Sequence, residues 1–268
     1  MDWKNLFDRL GMNGTHWQWK MMRWERNLRS FWRGEPGSGL SFSRGLIYLN
    51  VILFVAMIIQ GVAAGLGLTP ILSPDPYLLI HSGAQYWPLV VAENQWWRCI
   101  TYAYTHGGLI HLGFNMMVLY QVGPLIETEI GSSRFFVLYT LAALAATAAG
   151  YFWHPLTPVV GASGSLFGLI GFAVAYYHRV GPAGHVIRNH MFRWALFAFV
   201  FGIVVGADNA AHLGGAVCGA IVGMLLPLGV RGRKRLAPVF NLLSGLAIGA
   251  TVISLLVLVG SWLISIGN

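Results

Sequence analysis

The chain is poor in charge, and poorer still in acid. Of 268 residues only 10% are charged, with 9 Asp or Glu against 17 Lys or Arg, while 56% are hydrophobic. So little charge excludes an ordinary soluble domain of this length. The long apolar runs contain no carboxylate, which argues against a proton or ion path, and no inverted repeat supports a transporter. The zinc-protease signature HExxH is absent. There are two cysteines, Cys99 at a loop or span entry and Cys218 inside an apolar run, and no disulfide is expected between settings so different. The first 44 residues are polar, and the first apolar run is long with no convincing cleavage site after it, so no cleaved signal peptide is expected.

What is present is hydrophobic length. A span needs about 20 apolar residues, and seven segments approach this: 46–67, 108–126, 135–153, 163–178, 192–206, 209–228 and 240–264. Threading them from an inside N-terminus puts 16 of the 17 Lys and Arg on the inside, leaving Arg98 alone outside. That asymmetry is the positive-inside rule, and it predicts a cytoplasmic N-terminus and an external C-terminus. It also accounts for the net charge of +8 without nucleic acid.

Residues 1–44 read as a separate basic amphipathic segment on the cytoplasmic membrane surface. Trp17, Met21, Trp24, Leu28 and Phe31 recur at helical spacing, with Lys20, Arg23, Arg26 and Arg33 off that stripe. A small packed bundle is the other reading. EPGSGLS (35–41) reads as a flexible linker. The loop at 68–105 is long and rich in Trp and Tyr, which suits the outer membrane interface. RGRKR (231–235) reads as a basic linker before the last span.

Polar groups at membrane depth are costly and tend to mark function. They cluster in three places. In HGGLIHLGFN (106–115), His111 and Asn115 are four apart and share a helix face. Two such donors suit an oxyanion hole, or else glue two helices together. His106 lies about 140° round the same helix, so the three do not form one metal-binding face. In GASGSLFG (161–168), Ser163 is flanked by Gly161 and Gly164 at the first turn of a span, where unpaired N–H groups favour developing negative charge. Taken alone, it is more readily a helix cap. In ADNAAHLGGAVCGAIVG (207–223), His212 follows one turn into a span, and Ala211, Gly215, Gly219 and Gly223 repeat every four residues. Such a small-residue stripe lets helices approach closely. Facing Gly164, Gly168 and Gly171, it would bring His212 within reach of Ser163 as a serine–histidine dyad. Asp208 is expected to cap the helix rather than join the dyad.

Four separated elements now resemble the rhomboid family of intramembrane serine proteases: Trp97-Arg98, HGGLIHLGFN, GASG, and the histidine of AHLGG before a glycine stripe. The resemblance implies an all-α polytopic membrane protein with a rhomboid-like six-helix core at 45–229. Residues 230–268 add the basic linker and one extra C-terminal transmembrane helix. It implies Ser163 as nucleophile and His212 as base, with His111, Asn115 and the Ser163 N–H forming the oxyanion hole. Gly161, His106, Asn209, Trp97 and Arg98 would have supporting roles. Phe167 stands where many members have tyrosine, so altered positioning of His212 is expected. No metal or cofactor is implied. The implied partners are transmembrane substrates and membrane lipids, in a bacterial inner membrane. The alternative is a catalytically inactive rhomboid-like protein that binds membrane clients.

Overall fold

The computed structural model describes residues 3–32 and 41–266. Twelve α-helices are described: α1 (Trp3–Arg9), α2 (Gly14–Trp32), α3 (Phe42–Ala63), α4 (Pro76–His81), α5 (Trp87–Ala92), α6 (Arg98–Thr101), α7 (Leu109–Ile130), α8 (Ser132–Trp153), α9 (Ser163–Val180), α10 (His185–Val205), α11 (Asn209–Leu225) and α12 (Val230–Ile266). Extended pairing among the described residues is limited to one bridge, between Gln85 and Val159. This is an all-α polytopic membrane fold.

The seven expected apolar segments correspond to α3 and α7 to α12. Four of these, α3, α7, α8 and α12, are long and apolar enough to cross a membrane by length and composition. Helix α11 is apolar but has only 17 residues. Helices α9 and α10 carry His and Arg at their α9–α10 junction, including Arg179 and Arg188. Helix α9 is shielded: it is buried along nearly its whole length, with α7, α8, α10 and α11 around it.

Glycine sets the spacing at the centre. A Cβ added at Gly215 would strike the carbonyl of Gly164, and one at Gly219 the carbonyl of Gly168. In the other direction, a Cβ at Gly171 would strike the Ala216 backbone. Helices α9 and α11 therefore meet backbone to backbone, as the small-residue stripes predict. Helix α8 closes on the same pair through alanine, with Ala146 and Ala142 against Gly164 and Gly168, and Ala145 and Ala149 against Gly214.

Several sequence expectations need correction. Helix α7 runs past residue 126 to Ile130 and so includes two carboxylates. Glu127 is buried because it caps α3: its carboxylate accepts from the Phe42 and Ser43 N–H groups at 2.6 and 3.0 Å and from the Ser43 hydroxyl at 2.7 Å. The tract RGRKR is not a linker but lies in the opening turns of α12. It is held there by Arg233, whose guanidinium donates to Glu129 Oε1 and to the Tyr176 hydroxyl, each at 3.0 Å. Arg134 in turn donates to the Arg233 carbonyl. The loop between α3 and α7 is structured by α4, α5 and α6.

Helices α1 and α2 form a hairpin, with Phe7 stacked on Trp17 at 5.2 Å and the Lys20 ammonium over the same indole. Part of the expected stripe is thus covered by α1, while Trp19, Met22 and Trp24 stay exposed. The Leu28 and Phe31 side chains and linker residues 35–40 lie outside the described residues.

Leucine at Gly215 or Gly219 must therefore force the two backbones away from each other. Each substitution is expected to destabilise by at least the ~1–3 kcal/mol typical of overpacking. Cys218→Leu, off the stripe and half-buried, should be milder. Melting temperatures of the three variants in detergent test this, and an unshifted Gly219→Leu protein would mean that the stripe does not carry the contact.

Candidate active site

Ser163 is the first residue of α9, and the chain that delivers it is pinned. Val159 exchanges two backbone hydrogen bonds with Gln85, at 2.8 and 3.0 Å, and the Gly161 N–H donates to the Tyr102 carbonyl at 2.9 Å. Tyr102 is itself buried, and its hydroxyl donates to the Ala143 carbonyl at 2.6 Å. Gly161 has φ +116°, which disfavours any side chain, and a Cβ there would lie 2.7 Å from the His111 ring. Only glycine fits this turn.

His212 lies one turn into α11. Its Nε2 is 2.9 Å from Ser163 Oγ, and its Nδ1 is 3.0 Å from Asn209 Oδ1. The Asn209 amide nitrogen donates to the Phe199 carbonyl at 3.3 Å. That leaves Asn209 Oδ1 as the acceptor, so the imidazole proton sits on Nδ1 and the Nε2 lone pair faces the serine hydroxyl. Phe167 stacks on the imidazole, with ring centroids 4.3 Å apart and planes 14° from parallel. The phenyl ring thus keeps the stacking contact without a hydroxyl. Asp208 stands apart from the imidazole: its carboxylate caps α11 by accepting from the Ala211 N–H at 2.9 Å, and lies 3.5 Å from His154 Nε2.

His111 and Asn115 converge at Gly161, two residues before the serine. The His111 Nδ1 accepts from the Gly107 N–H at 3.3 Å. The ring proton is therefore on Nε2, which is among the atoms nearest the open face of Gly161. Asn115 Nδ2 is close to the same point, buried and without a hydrogen-bond partner. A buried orphan donor is costly, and an anionic oxygen at its place beside Gly161 would satisfy it.

The remaining expected residues support rather than join this cluster. His106 is not on the second span, since α7 begins at Leu109 and the helical angle to His111 does not apply. It is fully buried and packs edge-on against His111, with centroids 5.2 Å apart. Arg98 donates to the Ile80 and Ala84 carbonyls at 2.6 and 3.0 Å and stacks on Trp97 at 4.4 Å. Burial lowers its guanidinium to about 10, which leaves it cationic at neutral pH. Ser165, the nearest alternative hydroxyl, turns away to donate to the Tyr139 carbonyl at 2.9 Å. No cluster of three or more His, Cys, Asp or Glu suited to a metal occurs among the described residues. Tyr102 and the Gln85–Val159 bridge were not foreseen, because a backbone contact between distant stretches of chain leaves no mark in composition.

Residues 93–228 match the model of the Rhomboid domain. The chain belongs to the rhomboid family. Similar rhomboid relatives include the rhomboid protease GluP of Bacillus subtilis (strain 168), 31% identical over 225 residues, which are 82% of this chain and 41% of the relative. Rhomboid-like protease 1 of Toxoplasma gondii is 32% identical over 163 residues, 58% of this chain and 55% of that protein. The mitochondrial RHOMBOID-like protein 6 of Arabidopsis thaliana is 29% identical over 163 residues, 59% of this chain and 52% of that protein. The chain thus spans about half the length of these relatives. All three alignments are with proteins of the rhomboid name, from a bacterium, a parasite and a plant.

Because Gly161 combines a positive φ with contact to the His111 ring, Gly161→Ala is expected to displace the histidine and the nucleophile together. A shift of about 1 Å costs on the order of 100-fold in rate. Labelling by a fluorescent serine-directed probe should fall accordingly, and labelling at the unaltered rate would show that the turn tolerates a side chain.

Proposed function

We propose that this rhomboid is an intramembrane serine endopeptidase that cuts transmembrane segments of membrane proteins near the outer leaflet. The observation that carries this reading is the Ser163 Oγ–His212 Nε2 hydrogen bond of 2.9 Å, with the orphan Asn115 amide beside it. In this reading His212 takes the Ser163 proton as the oxygen attacks the scissile carbonyl. The new negative charge falls to the donors of His111, Asn115 and the Ser163 N–H. That N–H belongs to the first turn of α9 and has no partner within its helix. His212 then gives the proton to the leaving amine, and water reverses the sequence to release the acyl group. Asn209 holds the imidazole tautomer throughout.

The dyad sits at the ends of α9 and α11 remote from Arg179 and Arg233. With the basic ends inside, it faces the outer leaflet of a bacterial inner membrane, the N-terminus being cytoplasmic and the C-terminus external. Residues 45–229 would be the catalytic core. The hairpin of α1 and α2, with its exposed Trp19, Met22 and Trp24, would lie on the cytoplasmic surface. The alternative, a binding protein without activity, gains nothing from an intact dyad with a fixed tautomer.

Two experiments test the reading. A serine-directed fluorescent probe should label the detergent-solubilised protein and fail to label Ser163→Ala. Equal labelling of both would remove Ser163 as nucleophile. Asn115→Ala and His111→Ala should each slow turnover roughly 100- to 1000-fold with little change in KM, as expected for donors to a transition-state oxyanion. The two losses should not add, since both serve one oxygen. Unchanged rates in both variants would leave these residues as helix contacts only.

A further inference from the structure

The seventh apolar helix, α12, packs against α8 and α6. Its buried face carries small polar residues and then a leucine: Ser244, Thr251, Ser254 and Leu258 are spaced seven, three and four apart, and each is at most 5% exposed. That spacing is one continuous helix stripe, and its small side chains allow close packing. The stripe ends at Trp262, whose indole N–H donates to the His81 carbonyl at 2.8 Å. One turn earlier, Leu258 packs against Gly83.

The segment that α12 touches is held in an unusual way. Every carbonyl from residue 80 to 85 accepts from another part of the chain. Arg98 donates to Ile80 and Ala84. Trp262 donates to His81, Thr105 to Ser82 and Thr101 to Gly83. The Val159 N–H donates to Gln85. Five of these six bonds come from the core, and the sixth comes from α12. The rail they fix ends at Gln85, which pairs with Val159, two residues before Gly161 and four before Ser163. Gly161 is the point on which the His111 and Asn115 donors converge.

We propose that α12 is a brace for catalysis and Trp262 a positioning residue. By holding the backbone at His81 and packing on Gly83, it fixes the rail that sets Gly161 and the nucleophile against His111 and Asn115. This rests on the protease reading given above. It assigns the helix a task beyond adding a span, since its far end reaches the rail at His81 and Gly83 while its near end is bound through Arg233 to Glu129.

Trp262→Phe removes the N–H and keeps most of the ring. Amide hydrogen exchange at Gln85 and Val159 in the detergent-solubilised full chain is expected to rise about fivefold, the size of one neutral hydrogen bond. In parallel, kcat should fall about tenfold with KM unchanged, well short of the ~100-fold cost of a 1 Å displacement. Leu258→Ala should act in the same direction, and Leu256→Ala, on the exposed face of α12, should do neither. Unchanged exchange in Trp262→Phe would overturn the brace. Raised exchange with unaltered kcat would reduce the contact to a structural one and overturn the positioning role. A wild-type protein without turnover would strike the protease reading and the catalytic role with it, whereas the exchange measurement still reports the contact.

Discussion

The structure depends on one close approach, that of α9 to α11. Helix axes ordinarily stand about 8–10 Å apart, a separation set by the side chains between them. Here the chain removes those side chains. Gly164, Gly168 and Gly171 on α9 face Gly215, Ala216 and Gly219 on α11, and carbonyls rest where β-carbons would be. In a bilayer there is no hydrophobic driving force between helices, so tight van der Waals packing must supply the association. The same packing supplies the 2.9 Å between Ser163 and His212.

A second constraint follows from the first. A helix as buried as α9 cannot solvate polar groups, so each must find a partner within the bundle. The pairing is done from the ends. Glu127 gathers the N–H groups that open α3, and Arg233 bridges α12 to Glu129 and Tyr176. Arg179 donates to the Gly223 and Leu226 carbonyls that close α11, at 2.9 and 2.7 Å. Each cation or carboxylate therefore sits at a helix terminus, where backbone groups are unpaired. Asn115 Nδ2, beside Gly161, is among the polar atoms left over, and its place next to the glycine turn is why it carries weight in a functional argument.

Much of this was legible in the sequence, because it is written in local spacing. Seven apolar runs are visible as runs. The i, i+4 repeat from Ala211 to Gly223 gives a helix face, and His212 beside it gives the depth. His111 and Asn115 share a face by the same rule. What was not legible depends on pairing across the chain. The apolar run of α7 fades before Glu127, and only the α3 N-terminus explains why a carboxylate continues that helix. RGRKR looks like a hydrophilic linker until Arg233 meets Glu129. His106 was placed on a helix that starts three residues later, since the glycines at 107 and 108 do not announce on which side of them the helix begins. The small stripe of Ser244, Thr251 and Ser254 was present in the sequence at helical spacing, but serine and threonine inside an apolar run read as neutral until a neighbour is known.

The site is thus defined from two directions that share little structure. One side, His212 with Asn209, is carried by α11, and the glycine contact with α9 sets Phe167 of α9 against its imidazole. The other side, His111 and Asn115 around Gly161, is set by α7 and by the backbone rail from Ile80 to Gln85. Ser163 lies where the two meet, as the first residue of a helix whose own N–H groups point out of the turn. A distortion of the stripe would therefore move His212 and leave the orphan Asn115 amide in place, whereas a distortion of the rail would move the turn at Gly161 and leave the His212–Asn209 bond intact. Separate supports of this kind let Ser163 lie 2.9 Å from His212 while staying only half-buried, since neither requirement has to be met by packing side chains over it.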